Sequence, residues 1–386
     1  MKYINIAEPC LGIEEWNAVR EPIETGWLTQ GPKVKEFEMR FAELHGVKYA
    51  YATTSCTTAL HLALKVLGVG VGDYVIVPSF TWIATVNVVE YCGAKPVFCD
   101  NNLNTYNIDV DKLSEILEEM SRAGKKVKAV IPVHLFGLMA DMKRIKELSR
   151  IYGFAIVEDA ACAAGSMYDE KYAGSFGDVG CFSFHPRKII TTGEGGMCTT
   201  NNEVFAEKLA CLRSHGATIS EEQRHNSNAP YLMPDFNVLG FNYRMSDLQG
   251  AVGSIQIQKL DAFISERRKW ALYYKEALNG VKWLITPVEP NGYRHSYQAY
   301  VCRIDSSMIN INRNAIMQKM QEAGIGTRAG THAVHELGYY KEKYGINKND
   351  YPIASELYAN TISLPLHNKM TKEDYDYVIR IIENMK

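Results

Sequence analysis

The chain has 386 residues, 46% hydrophobic and 22% charged, the texture of an ordinary globular protein long enough for one large domain and one smaller one. Its 42 basic and 44 acidic side chains leave a formal charge of -2, so it has no basic excess of the kind a nucleic-acid surface needs. No apolar run of about 18 residues is present to span a bilayer, and the first residues, MKYINIAEPCLGIEEW, lack the apolar core of a signal peptide. The nine cysteines are scattered, odd in number and without a CxxC pair, which argues for buried thiols rather than a disulfide framework; a cytoplasmic location is expected.

In chain order, the serine- and threonine-rich ATTSC leads into TTALHLALKVLG (57–68), which has apolar residues at helical spacing and a glycine stop. YVIVP (74–78) and KPVFC (95–99) read as short strands. DVDKLSEILEEM (109–120) opens with an aspartate suited to cap a helix, KAVIP (128–132) is a strand, and ADMKRIKELSRIYG (140–153) is an amphipathic helix ending in glycine. FAIVE (154–158), GCFSF (180–184) and GMCTT (196–200) are three further strands. Several of these runs are apolar throughout, as strands covered on both faces are. The alternation predicts an α/β sheet with helices on both sides. EEQRHNSNAPYLMPDF (221–236) reads as a long loop of the kind that carries function. Beyond about residue 250 the texture changes. A long helical segment leads into a smaller α+β region with the strand SYQAYVCRI and the helices NRNAIMQKMQEAG and TKEDYDYVIRIIENM, so the domains are expected to be 1–250 and 251–386.

Four features carry chemistry. FAIVED ends a strand with Glu158 and Asp159, where ligands collect in open α/β sheets; an ionised Asp159 there would keep a pyridinium protonated, or would cap the next turn. Thr53, Thr54, Ser55, Cys56 and Thr57 stand at the mouth of a helix, a place for a phosphate, or simply a helix cap. Trp82 follows the strand YVIVP and offers a flat face to a flat cofactor, or fills core. Lys188 lies between the strand GCFSF and the glycine-rich TGEGG. A free lysine is neutral in only about one part in 2500 at pH 7, so it is a poor nucleophile unless a carbonyl cofactor holds it. Pyridoxal 5′-phosphate (PLP) needs a lysine, a carboxylate at the ring nitrogen, a stacking face and a phosphate cradle. The joint occurrence of a candidate for each points to PLP.

These residues, with GWLTQGPKVKEFE, GAKPVFCD, NTYNIDVDKL, VIPVHLFG, VEDAACAAGS, FGDVGCFSFHPRKIITTGEGG, LRSHG, FNYRMSDLQGAVG and SLPL, make the chain resemble the DegT/DnrJ/EryC1/StrS family of sugar aminotransferases. The resemblance implies the fold-type-I PLP architecture, like aspartate aminotransferase, with a large, mostly parallel sheet between helices and a small C-terminal α+β domain. It implies that Lys188 binds the cofactor covalently and carries protons, that Asp159 pairs with the ring nitrogen, and that Trp82 stacks on the ring. Ser55, Cys56 and Ser183 would surround the phosphate, and Asn242 would reach the phosphate of the neighbouring subunit in a homodimer with shared sites. Where the family often has Gln or His over the cofactor, this chain has Cys162, a weaker hydrogen-bonding group. A branch of the family that removes a sugar hydroxyl has histidine in place of the lysine, so Lys188 disfavours a dehydratase.

The implied reaction moves the amino group of L-glutamate, by way of pyridoxamine phosphate, onto a keto sugar. The expected acceptor is a nucleotide-linked 4-keto-6-deoxy sugar of the perosamine type, used in surface polysaccharide or glycan synthesis. Acceptor contacts are expected from His134, His215, Arg328 and His332, with His335 nearby; the histidines read equally as hydrogen-bonded surface or interface residues. A ketosugar phosphate or cyclitol acceptor uses the same machinery. A non-catalytic regulator would show a lost lysine or an added DNA-binding domain, and neither is present. No histidine pair at ligand spacing and no HExxH predict a metal site.

Overall fold

The computed structural model describes residues 3–219, 231 and 233–385; most of the loop expected at 221–236 lies outside the described residues. The seven strands of the main sheet are β1 (Tyr49–Thr53), β2 (Tyr74–Pro78), β3 (Lys95–Cys99), β4 (Val127–Val130), β5 (Ala155–Asp159), β6 (Val179–Ser183) and β7 (Gly196–Thr200), in the spatial order β1-β7-β6-β5-β4-β2-β3. β6, β5, β4, β2 and β3 are parallel, and β7 runs antiparallel between β6 and β1. Most residues of the parallel strands are buried because helices cover both faces.

The helices start where the sequence supplies caps. α1 (Pro32–His45) has proline in its first position and Gly46 in the left-handed conformation at its end. α2 (Cys56–Val66) begins at Ser55, whose hydroxyl accepts from the Thr58 N–H while the Thr58 hydroxyl accepts from the Ser55 N–H, a reciprocal cap. α3 (Ala84–Tyr91) follows Trp82 closely. α4 (Val110–Arg122) is capped by Asp109, as predicted, and α5 (Met142–Tyr152) by Asp141. α6 (Glu203–Leu212) follows the last strand of the sheet.

α7 (Asp247–Ala277) is 31 residues long and crosses position 250 without a break. Its start packs on α1, where Gly250 leaves room for the Val34 backbone; a Cβ on Gly250 would lie 2.6 Å from the Val34 nitrogen. Its end joins the core of the second region, with Ala271 and Tyr274 among Tyr300, Ile362 and Tyr375. We propose that the two domains meet along this helix. The second region is built on an antiparallel sheet of β8 (Leu284–Ile285), β9 (Tyr300–Ile304), β10 (Arg328–Ala329) and β11 (Thr361–Leu364), in the order β8-β9-β11-β10, flanked by α8 (Arg313–Glu322), α9 (Pro352–Asn360) and α10 (Lys372–Glu383).

One short ribbon ties the regions together. Phe80–Thr81 pairs antiparallel with His332–Ala333, the Val334 N–H donates to the Ser79 carbonyl at 2.8 Å, and Ser79 Oγ meets His335 Nδ1 at 2.5 Å.

Candidate active site

The parallel strands bring their carboxyl ends to one edge of the sheet. There β5 delivers Asp159, whose register partner in β6 is Cys181. Two residues on, Ser183 pairs with Gly196 of β7, and Gly196 pairs with Thr53 of β1. The row Thr53–Gly196–Ser183 therefore places the mouth of α2 beside the end of β6. Glycine is required at its centre, because a Cβ on Gly196 would lie 2.4 Å from the Ser55 carbonyl and 2.7 Å from the Cys56 nitrogen. The TGEGG turn thus lets the backbone close on the helix mouth.

At that mouth the Ser55 N–H is taken by Thr58, the Thr58 N–H by Ser55 Oγ and the Ala59 N–H by the Ser55 carbonyl. The N–H groups of Cys56 and Thr57 are left over at the positive end of an 11-residue helix. Two such donors at a helix N-terminus suit an anion. Ser183 is half-buried and its hydroxyl accepts weakly from the His185 N–H at 3.4 Å, so it retains its own proton to donate.

Asp159 is buried, 4% exposed. Burial pushes its carboxyl up from the usual range, while the Thr85 hydroxyl, the Ala161 N–H, Lys188 and His134 pull it back towards the ionised form. The Thr85 hydroxyl donates to Oδ2 at 2.7 Å and the Ala161 N–H to Oδ1 at 3.2 Å. Lys188 points into the same space, with Nζ 3.1 Å from Cys162 Sγ. Burial works against its charge, but Cys162, Cys56 and Asp159 favour it, and the lysine titrates above its ordinary value. Until it meets a carbonyl it is held as an ammonium.

Trp82 stands at the rim with 57% of its surface exposed, an indole face free to cover a ring. His332 packs edge-on against it, with ring centroids 5.5 Å apart, and has Tyr358 on its other side. Burial and the neighbouring Arg328 guanidinium lower the His332 pKa, and its Nδ1 is buried without a hydrogen-bond partner. Arg328 itself is exposed.

Three of the histidines expected near the acceptor fall elsewhere. His134 is completely buried: Nδ1 accepts from the Ala140 N–H at 3.2 Å, so Nε2 carries the proton and donates to Glu158 at 2.9 Å. Both ring nitrogens are used, and no ring atom faces an acceptor; the expectation of substrate contact from His134 is corrected to a role inside the fold. His335 is likewise buried, between Ser79 and Ser355. His215 is exposed but lies on another ladder, where Ser214 bridges Asn242 and the His215 N–H donates to the Phe241 carbonyl. That ladder is anchored beside the mouth of α2, because the Thr54 N–H donates to the Tyr243 carbonyl at 3.0 Å. Asn242 is exposed at its outer side.

Thr85 escaped the sequence reading. It lies within a helix, and no local signal points to a partner 74 residues away.

A buried carboxylate, a half-buried amine, a two-donor helix mouth and an open indole suit PLP, and with the fold they point to a PLP-dependent aminotransferase. The chain matches the model of the DegT/DnrJ/EryC1/StrS aminotransferase family over residues 9–383 and belongs to that family; it is a sugar aminotransferase. It is 38% identical over 378 residues to the spore coat polysaccharide biosynthesis protein SpsC of Bacillus subtilis, covering 98% of this chain and 95% of that one. It is 37% identical over 384 residues to the GDP-perosamine synthase of Caulobacter vibrioides, covering 99% and 98%. Among solved structures, the PMP form of Spr1654 from Streptococcus pneumoniae superposes with a TM-score of 0.88 at 28% identity and 98% coverage of both chains, and the same protein is known in a PLP form. Among the described residues no helix is long and apolar enough to cross a membrane.

Proposed function

We propose that the chain moves the amino group of L-glutamate onto a nucleotide-linked 4-keto-6-deoxy sugar, working as a homodimer in the cytoplasm. The observation that carries the acceptor is the rim cluster: an exposed guanidinium, Arg328, beside His332 and Trp82, which suits a diphosphate carried past the cofactor face. Likeness to a GDP-perosamine synthase supports the sugar.

When bound, PLP supplies an aldehyde for the amine and a ring that accepts the electrons of the broken C–H bond. The chain's own residues do the rest. Cys56 and Thr57 hold the phosphate through their N–H groups, with Ser183 donating from the side. Asp159 holds a proton on the ring nitrogen. Trp82 would cover one face of the ring. Lys188, once its charge is relieved, would take the Cα proton of glutamate at Nζ and return it one position away; a water that supplies the new carbonyl oxygen then frees 2-oxoglutarate and leaves the nitrogen with the cofactor. With the keto sugar the same proton movements run in reverse.

The dimer rests on what the single chain leaves open. Asn242 is exposed beside a run of exposed apolar side chains, Phe236, Val238 and Leu239. Mixing Lys188→Ala subunits with Asn242→Ala subunits is expected to restore activity, because one of the two shared sites then has both residues. The acceptor is tested with L-glutamate and a panel of nucleotide-linked keto sugars, with ketosugar phosphates and a cyclitol ketone alongside, followed by mass spectrometry. Amination of a nucleotide sugar alone is expected; turnover only of the simple ketones overturns the acceptor.

A further inference from the structure

We propose that Thr85 is a positioning residue for Asp159: its hydroxyl, oriented by Thr81, holds the carboxylate ionised and fixes its rotation. The inference rests on the ring nitrogen lying at Asp159, as proposed above. Thr81 and Thr85 are both completely buried, and their hydroxyl oxygens are 3.0 Å apart. An ionised carboxylate only accepts hydrogen bonds, so Thr85 spends its single proton on Asp159 Oδ2 and receives one from Thr81. The two hydroxyls form a chain with one direction, towards the carboxylate.

The position is informative. Thr85 is in the first turn of α3, where a threonine commonly bonds to nearby backbone groups at the helix start. Here it reaches across to another strand instead. The titratable groups that face Asp159 are Lys188 and His134, which favour its charge, and Cys56 and Cys181, whose thiols it opposes. Lys188 is engaged by the cofactor during the reaction and ceases to be a fixed countercharge. Thr85 and the Ala161 N–H are then the constant donors to a carboxylate that burial drives towards neutrality. Thr81 is also the register partner of His332, so the chain of hydroxyls starts on the ribbon that carries the rim.

The test uses the full chain freed of cofactor, titrated with PLP between pH 5 and 9 and followed by tryptophan fluorescence, with circular dichroism to confirm folding. Thr85→Val keeps the shape and removes the donor. It is expected to weaken PLP binding about 10- to 100-fold at pH 7. Binding needs the anion and is lost as pH falls through the Asp159 pKa; without Thr85 that pKa is higher, so the acid loss moves to higher pH. Thr85→Ser should bind within about threefold of the parent, as befits a restored donor. In the Asp159→Asn background, Thr85→Val should change affinity by less than about twofold, since the charge it serves is gone. Equal losses in the Ser and Val variants, an unshifted acid limb, or full additivity with Asp159→Asn would each overturn the proposal. Unchanged binding by Asp159→Asn would overturn it together with the ring-nitrogen assignment, whereas a loss there with none in Thr85→Val overturns the inference alone.

Discussion

Asp159, Cys181 and Ser183 lie on the ends of neighbouring strands, and Cys56 opens the helix that follows another. Trp82, His332, Arg328 and Asn242 come from segments up to about 250 residues apart, and each exposes surface to solvent except where His332 is packed against Trp82 and Tyr358. The floor of the site is thus finished by secondary structure within one chain. The rim is assembled by a ribbon between two regions and, on our proposal, by a second copy. Buried groups without alternatives to one another should be intolerant of change; rim groups should tune the acceptor and leave the glutamate half-reaction alone.

The largest effect is expected on the floor. Lys188→Ala removes the amine that, on our proposal, moves the proton, and should slow the proposed half-reaction with glutamate about a thousandfold or more, measured by stopped-flow absorbance of the cofactor. A smaller loss would move the proton transfer to another group and dissolve the contrast with the rim.

Next comes a floor group that touches no ligand. Glu158 is completely buried and accepts from His134 Nε2, Gly174 at 2.9 Å, Phe176 at 2.8 Å and Gly177 at 2.6 Å. Burial opposes its charge, yet these donors hold the carboxyl below its ordinary pKa of 4.5. A carboxyl depressed in the folded state stabilises above its unfolded pKa, and that contribution is lost as pH falls through the folded value. Glu158→Gln turns an amide NH₂ towards backbone donors and should cost about 2–3 kcal/mol at neutral pH. The penalty should shrink below pH 4.5, which denaturation at a series of pH values would record.

These residues also mark what could be read without a structure. β2, β3 and β7 were legible to the residue because each is a short, mostly apolar run too brief for a helix, and Lys188 and Asp159 were singled out because their context beside a strand end is local. β1, YAYAT, was passed over: it is an antiparallel edge strand whose tyrosines stay half-exposed, so it offers no apolar run. His134 was misplaced for a related reason. Histidine at a strand end looks the same whether it faces a ligand or a buried carboxylate one strand away, and only the Glu158 contact separates the two. The ribbon joining Phe80–Thr81 to His332–Ala333 pairs two-residue segments about 250 positions apart, far below the length at which periodicity shows.

On the rim, Arg328→Ala should raise KM for the nucleotide sugar about tenfold, the weight of one charged contact at an exposed site, and leave the half-reaction with glutamate unchanged. An equal effect on both half-reactions would place Arg328 with the floor.

The smallest effect should come from Cys162, which stands between floor and rim, half-buried yet in contact with Lys188. Burial depresses the lysine pKa and Cys162 is the leading influence that raises it. In Cys162→Ser the opposing influence weakens while the burial stays, so the lysine pKa falls and more of the neutral amine is present at a given pH. Amine-directed labelling of Lys188 in the cofactor-free protein, quantified by peptide mass spectrometry from pH 7 to 10, should then begin at lower pH than in the parent. Turnover should change by no more than about threefold, because a group that biases the resting lysine does not itself move the proton. A labelling curve that stays put would mean the contact is packing alone, and Cys162 would belong with the silent thiols of the core.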